Sequence, residues 1–222
     1  MSGPIPSKSQ FAYTEVKRRI LAEELGPGAP IGQERLASEL GISTTPLREA
    51  LKQLAGEGLV TLSSHRDAAV TQLTAAEAQD LLDLRRVLDP FAAGLAAERR
   101  GPPDLAAIAS ALDALHPVAA QPTAESLHAH RAFHRAIYRA SHNPSLIGIL
   151  DGLWDRSDRY RLLGLRHRVR PGDHVERVRA EHAAIADAVA AGDPATARGL
   201  MLEHVDRSLI GTVVAELRAG DR

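Results

Sequence analysis

In the stretch HRAFHRAIYRASHNP, residues 130–144, His130 and His134 stand four residues apart in a pattern that reads as helix. One turn separates them, so both imidazoles leave the same side, about 6 Å apart along the axis. That side also carries Leu127 and Ile137, which turns it inward. His182 shares an inward face with Ile185 and Val189, and His204 lies with Ala197 and Leu200 on the last helix. One inward histidine is most often a hydrogen-bonded core residue; four from three helices are harder to explain that way. Neutral imidazole is a good ligand for Zn, Ni or Cu, and an i, i+4 pair can grip one ion. The reading is a divalent transition metal, Zn or Ni first, held by His130, His134, His182 and His204, with a metal-free polar core as the alternative. Because the ligands must be unprotonated, metal affinity should fall as the pH drops through about 6.5.

A hydrolase built on such a metal usually sets a carboxylate beside the metal-bound water, as in His-Glu-x-x-His. This chain has His-Arg-Ala-Phe-His, and Glu181, next to His182, is expected to face away from the site by a quarter turn of helix or more. No Ser-His-Asp pattern or Gly-rich phosphate loop is visible. An enzyme is therefore not expected, and a metal-dependent enzyme in a helical bundle stays as the rival reading. Arg85 shares a face with Leu81, Leu88, Ala92 and Leu95, so its guanidinium is embedded and needs a partner. Asp89, one turn on, is one candidate; an anionic ligand matched to the planar fork is the other.

The elements that must position these residues are helical. Thr74 and Glu77 form a capping-box signature, and breaks at GPPD, PVAAQPT, HNP, RPGD and AGDP divide residues 74–222 into about six helices. Residues 1–9 read as a loose tail and 10–73 as a separate domain. Within it, helices from Gln10 to Leu25 and from Gln33 to Leu40 precede a third that begins within STTPLREALKQLAGEGL, with Pro46 in its first turn. LVTL and AAVTQL then alternate as two short strands around SSHRDA. The fold class is mainly α, an N-terminal winged helix-turn-helix followed by an all-helical bundle.

A winged helix is a DNA reader. The start of its third helix offers free backbone N–H groups and the positive end of a helix dipole. Ser43, Thr44 and Thr45 add hydroxyls there, Arg48 lies one turn in, and Arg35, His65 and Arg66 extend the footprint along the backbone. With 27 Lys and Arg against 28 Asp and Glu, the formal charge of -1 gives no overall basicity, so contacts must come from local placement. The absence of cysteine rules out disulfides and thiolate metal sites. No apolar run approaches the roughly 18 residues of a membrane span, and a cytoplasmic location is expected.

The stretch LASELGISTTPLREALKQLAGEGLV, preceded by PGAPI, resembles the DNA-binding domain of GntR-family bacterial transcription regulators. LRRVLDPFAAGLAA, FHRAIYRASHNPSL and EHAAIADAVAAGDPATARGLMLEH resemble the all-helical FCD effector domain of the FadR subgroup. The resemblance implies a regulator whose operator binding responds to a small carboxylate effector, and it tips Arg85 toward that effector. It also implies a metal site in which His134, His182 and His204 match the three histidines and His130 takes the place of an aspartate. A single winged helix buries too little surface for tight specific binding, so a homodimer on a two-fold symmetric double-stranded operator is expected. Two departures bear on the operator: Thr44 replaces the usual arginine of Ser-Arg-Thr-Pro, and Asp67 stands where the family favours glycine. A bidentate arginine contact to guanine is worth about 1–3 kcal/mol of discrimination, which threonine cannot supply. Thr44→Arg should shift the preferred half-site toward guanine, read by selection from random duplexes; an unchanged selected sequence would show that this side chain does not meet a base.

Overall fold

The computed structural model describes residues 7–63, 68–115, 124–167 and 172–220. The chain divides into two compact units, Met1–Leu73 and Thr74–Arg222.

The first unit runs α1 (Lys8–Leu21), β1 (Pro30–Ile31), α2 (Gln33–Glu39), α3 (Thr44–Gly56), β2 (Val60–Leu62) and β3 (Ala68–Val70). Ser7 caps α1 by accepting from the Gln10 amide at 3.1 Å. Ala12, Val16 and Ile20 are buried against Leu47, Leu51 and Leu54 of α3 in one core. Phe11 is 45% exposed, while Ala12 beside it lies in the core. A residue of φ +65° at Gly41 makes the turn between α2 and α3, a backbone region that glycine enters without steric cost. β3 lies between β1 and β2, antiparallel to both, with Val60 opposite Val70 and Ile31 opposite Ala68. At two residues β1 is too short to show alternation in the sequence, and its pairing with β3 is non-local.

The second unit has seven helices among the described residues: α4 (Ala75–Arg99), α5 (Pro102–Asp113), α6 (Ala124–Ala140), α7 (Pro144–His167), α8 (Gly172–Ala191), α9 (Pro194–Asp206) and α10 (Leu209–Gly220). The seventh arises at Arg207 and Ser208, where neither glycine nor proline marks the break. α4 is the central helix, buried along most of Leu81 to Ala97. Its contact with α9 is close: a Cβ built on Gly94 would collide with the Arg198 side chain. Trp154, Tyr138, Tyr160 and Phe133 fill the interior. No described helix is long and apolar enough to cross a membrane.

Half of the expected capping box forms at α4. Thr74 Oγ1 accepts from the Glu77 amide at 3.1 Å, but the Glu77 carboxylate does not return to Thr74. It accepts instead from the Tyr160 hydroxyl at 2.6 Å and from Arg156 Nη2 at 2.7 Å. The Thr74 amide donates to that same Tyr160 oxygen at 3.0 Å. α7 thus ties down the start of α4. Thr74→Ala should lower the stability of this unit by about 1 kcal/mol, the usual loss for a hydroxyl cap, measured by urea denaturation; an unchanged midpoint would mean that the Tyr160 contact alone holds the helix start.

Candidate metal centre and nucleic-acid interface

α6 contributes His130 and His134, α8 His182 and α9 His204, and one ligand-capable atom from each lies within 4.8 Å of the others. All four side chains are buried, with relative exposures of 7%, 0%, 0% and 5% in chain order. The ring centroids of His182 and His204 are 4.5 Å apart and those of His130 and His134 4.6 Å. His134 Nε2 and His182 Nε2 face each other at 3.3 Å, a pair of nitrogens that can share one proton or one cation but cannot both donate. Burial first, then neighbouring imidazoles and the Arg161 charge, hold His130, His134 and His182 well below the usual imidazole range. These rings are neutral, with lone pairs free. His130 Nδ1 and His182 Nδ1 are buried without a hydrogen-bond partner among the described residues. A buried, neutral, nitrogen-only donor set with unpaired nitrogens fits a borderline-soft divalent ion.

Glu181 departs from its expected place. Its Oε2 lies 2.9 Å from His204 Nδ1. Glu181 does leave α8 beside rather than toward His182, but α9 packs along that side, so the carboxylate meets the outer nitrogen of His204. Neighbouring residues on one helix were considered without the helix that fills the gap between their directions.

Arg85 is 2% exposed and donates from Nε at 3.0 Å and Nη2 at 2.6 Å, both to Asp89 Oδ2. Of the two partners open to it in the sequence, the intramolecular one is present in the structure. Asp89 Oδ1 is buried without a partner among the described residues. The Arg85 guanidinium also stacks 4.4 Å from the Trp154 ring centre, and Arg161 lies 5.2 Å from the same ring. Arg161, paired with Asp158 at 3.1 Å, was missed; its spacing of seven from Trp154 was the available signal, two turns on one face.

In the first unit, Ser43 is the residue before α3, exposed, and its side chain makes no capping bond to the helix. Thr45 and Arg48 are exposed and Thr44 half-buried. Arg48 Nε donates to Gln33 Oε1 at 3.0 Å, and Arg35 stands 3.6 Å from Glu39 with 78% of its side chain exposed. Lys52, one turn beyond Arg48 on the same exposed face, was not singled out although its i+4 spacing marks it. Leu47, Ala50, Leu51 and Leu54 bury the opposite face. His65 and Arg66, with Asp67, lie outside the described residues.

Residues 8–70 match the bacterial regulatory proteins of the gntR family, and residues 80–207 match the FCD domain. The chain is 29% identical over 198 residues to the HTH-type transcriptional repressor GlaR of Escherichia coli, covering 87% of this chain and 90% of that one. It is 30% identical over 213 residues to the Glc operon transcriptional activator of Escherichia coli, covering 86% and 83%. The solved structure of E. coli McbR/YncC has the same fold, with a TM-score of 0.77 at 24% identity over 98% of this chain and 100% of that one. These matches are to transcription regulators rather than to enzymes. The chain belongs to the GntR family of bacterial regulatory proteins: it is a DNA-binding transcription regulator with an FCD domain after its winged helix.

Proposed function

We propose that this regulator binds a two-fold symmetric double-stranded operator as a homodimer, and that a small carboxylate acting at a Zn- or Ni-containing centre in the FCD domain modulates that binding. The observation that carries the sensing half is the convergence of four buried histidines whose donor atoms lie within 4.8 Å. His130, His134, His182 and His204 would hold the ion, which when bound supplies a positive centre able to accept a carboxylate oxygen. Arg85 and Arg161 add fixed positive charge next to Trp154, which itself lies 4.9 Å from His134 between ring centres. An anion there would compete with Asp89 for Arg85, so the ligand would exchange one ion pair for another rather than meet a bare cation.

For DNA, the open start of α3 supports a phosphate seat: Ser43 and Thr45 are exposed and Ser43 is not used as a cap. Among the described residues Arg48 is held only by the neutral Gln33 side chain, so it can turn to a groove without breaking an ion pair. Dimer formation is supported by Leu84, Val87 and Phe91, which line the outer side of α4 at 48%, 67% and 46% exposure. Their i, i+3, i+7 spacing makes one apolar stripe, of the kind a partner helix covers.

Arg48→Ala should weaken operator binding and reduce its dependence on salt concentration by about one phosphate contact, while ligand binding by the FCD domain is unchanged; fluorescence anisotropy over a salt series reads both, and an unaltered slope would place Arg48 outside the interface. Trp154 is the only tryptophan of the chain and its ring centre is 5.4 Å from that of His130, so Ni should quench its fluorescence on binding. The quenching should be lost in His134→Ala with His182→Ala. Because burial depresses the pKa of three of the four rings, they stay neutral on acidification longer than free imidazole does, so the affinity should persist below about 6.5 rather than fall there as composition alone implied. Wild-type protein that shows no quenching, or a double variant that keeps it, would overturn the metal reading.

A further inference from the structure

An imidazole that ligates a metal brings no charge to it, and the cations Arg85 and Arg161 both lie against Trp154, whose ring centre is 4.9 Å from that of His134. A divalent ion placed among the four rings would therefore meet neutral ligands and unfavourable neighbours. The nearest compensation visible through a direct bond is at His204. Glu181 Oε2 is 2.9 Å from His204 Nδ1, so a neutral imidazole that donates from Nδ1 to this carboxylate leaves Nε2 bare for a metal ion. The other oxygen, Oε1, is turned outward and meets Arg207 Nη1 at 3.4 Å and Arg177 Nε at 3.6 Å. Both arginines are about half exposed, at 51% and 48%, while the Glu181 and His204 side chains are 13% and 6% exposed. The arginine charges are thus screened by water more than the bond they steady.

We propose that Glu181 is a positioning residue of the metal centre: it fixes the His204 tautomer that presents Nε2 to the ion and supplies from one bond away the negative charge that the four imidazoles lack. The inference rests on the metal reading above. It also accounts for a difference among the rings. His130 Nδ1 and His182 Nδ1 have no partner among the described residues and the Tyr138 hydroxyl is a distant 3.4 Å from His134 Nδ1, so His204 is the best oriented of the four. Partners of this kind typically change metal affinity by about 10–100-fold when removed.

The test separates charge from orientation. Glu181→Gln keeps the shape and an acceptor oxygen but removes the charge; Glu181→Ala removes both. Glu203→Gln is the control, because Glu203 also pairs with Arg207, at 3.1 Å, but is 60% exposed and makes no hydrogen bond to a histidine among the described residues. Ni affinity, from Trp154 quenching in competition with a chelator, should fall about tenfold for Glu181→Gln and further for Glu181→Ala, toward the upper end of that range, and should not change for Glu203→Gln. In metal-free protein, long-range 1H–15N spectra should show His204 protonated on Nδ1 in the wild type and as a mixture of tautomers in Glu181→Ala. Should Glu181→Ala fail to fold, Glu181→Gln still carries the affinity test. Wild-type protein that binds Ni with Glu181→Gln unchanged, or equally weakened by Glu203→Gln, overturns the positioning role alone. Wild-type protein that binds no Ni overturns the metal reading and this role with it, even where the spectra report the Nδ1 tautomer.

Discussion

The second unit is organised by the burial of polar nitrogen. Taking an imidazole out of water without a partner costs free energy, and four of them at one point would be a heavy burden on a core of this size. Depressed pKa values lessen that burden by keeping His130, His134 and His182 uncharged. Among the described residues they leave His130 Nδ1 and His182 Nδ1 without partners, which a purely apolar packing would have avoided. The helices that carry the rings are otherwise held by alanine-rich contacts against α4, where Ala92, Ala93, Ala96 and Ala97 are all fully or almost fully buried. Small side chains on the central helix let α6, α8 and α9 approach closely enough for their histidines to meet.

The same constraint shapes the layer around Trp154. Arg85 and Arg161 lie against its ring, and each is matched within its own helix by an acid, Asp89 and Asp158. Pairing at i+4 and at i−3 lets each guanidinium enter the interior with its counter-ion already attached. The arrangement remains asymmetric, because both Arg85 donors converge on one Asp89 oxygen and the other oxygen has no hydrogen-bond partner among the described residues. A pair held through one carboxylate oxygen lacks the geometric specificity of a bidentate clamp.

Much of this was legible in the sequence because it rests on period. The i, i+4 spacing of His130 and His134, the apolar residues around His182 and the embedded Arg85 all follow from 3.6 residues per turn. What was not legible depended on a second element. Glu181 reaches His204 only because α9 fills the seam beside α8, Glu77 abandons Thr74 because α7 offers Tyr160 and Arg156, and β1 exists only through its pairing with β3. The break between α9 and α10 carries no glycine or proline, so no local rule could have placed it. Local periodicity gives the direction in which a side chain leaves its helix, and the partner it finds there is set by packing.

Electrostatics in the first unit follow the same division between local and long-range. Arg18 and Arg19 on α1 make the segment look basic, but Arg18 is taken up by Glu15 and Glu24, and Arg19 by Glu15 and Glu39. The hydrogen bonds from both arginines lower the Glu15 pKa to about 2, so this network stays charged across the physiological range, with two cations set against three carboxylates. Its cations contribute little field at a distance. Arg48 and Lys52, by contrast, stand on the exposed face of α3 and make no ion pair among the described residues, beside a helix start that already carries partial positive charge. A chain of net charge -1 can therefore present a positive face to a phosphate backbone: neutralising the cations away from α3 leaves those on it as the field that DNA would meet.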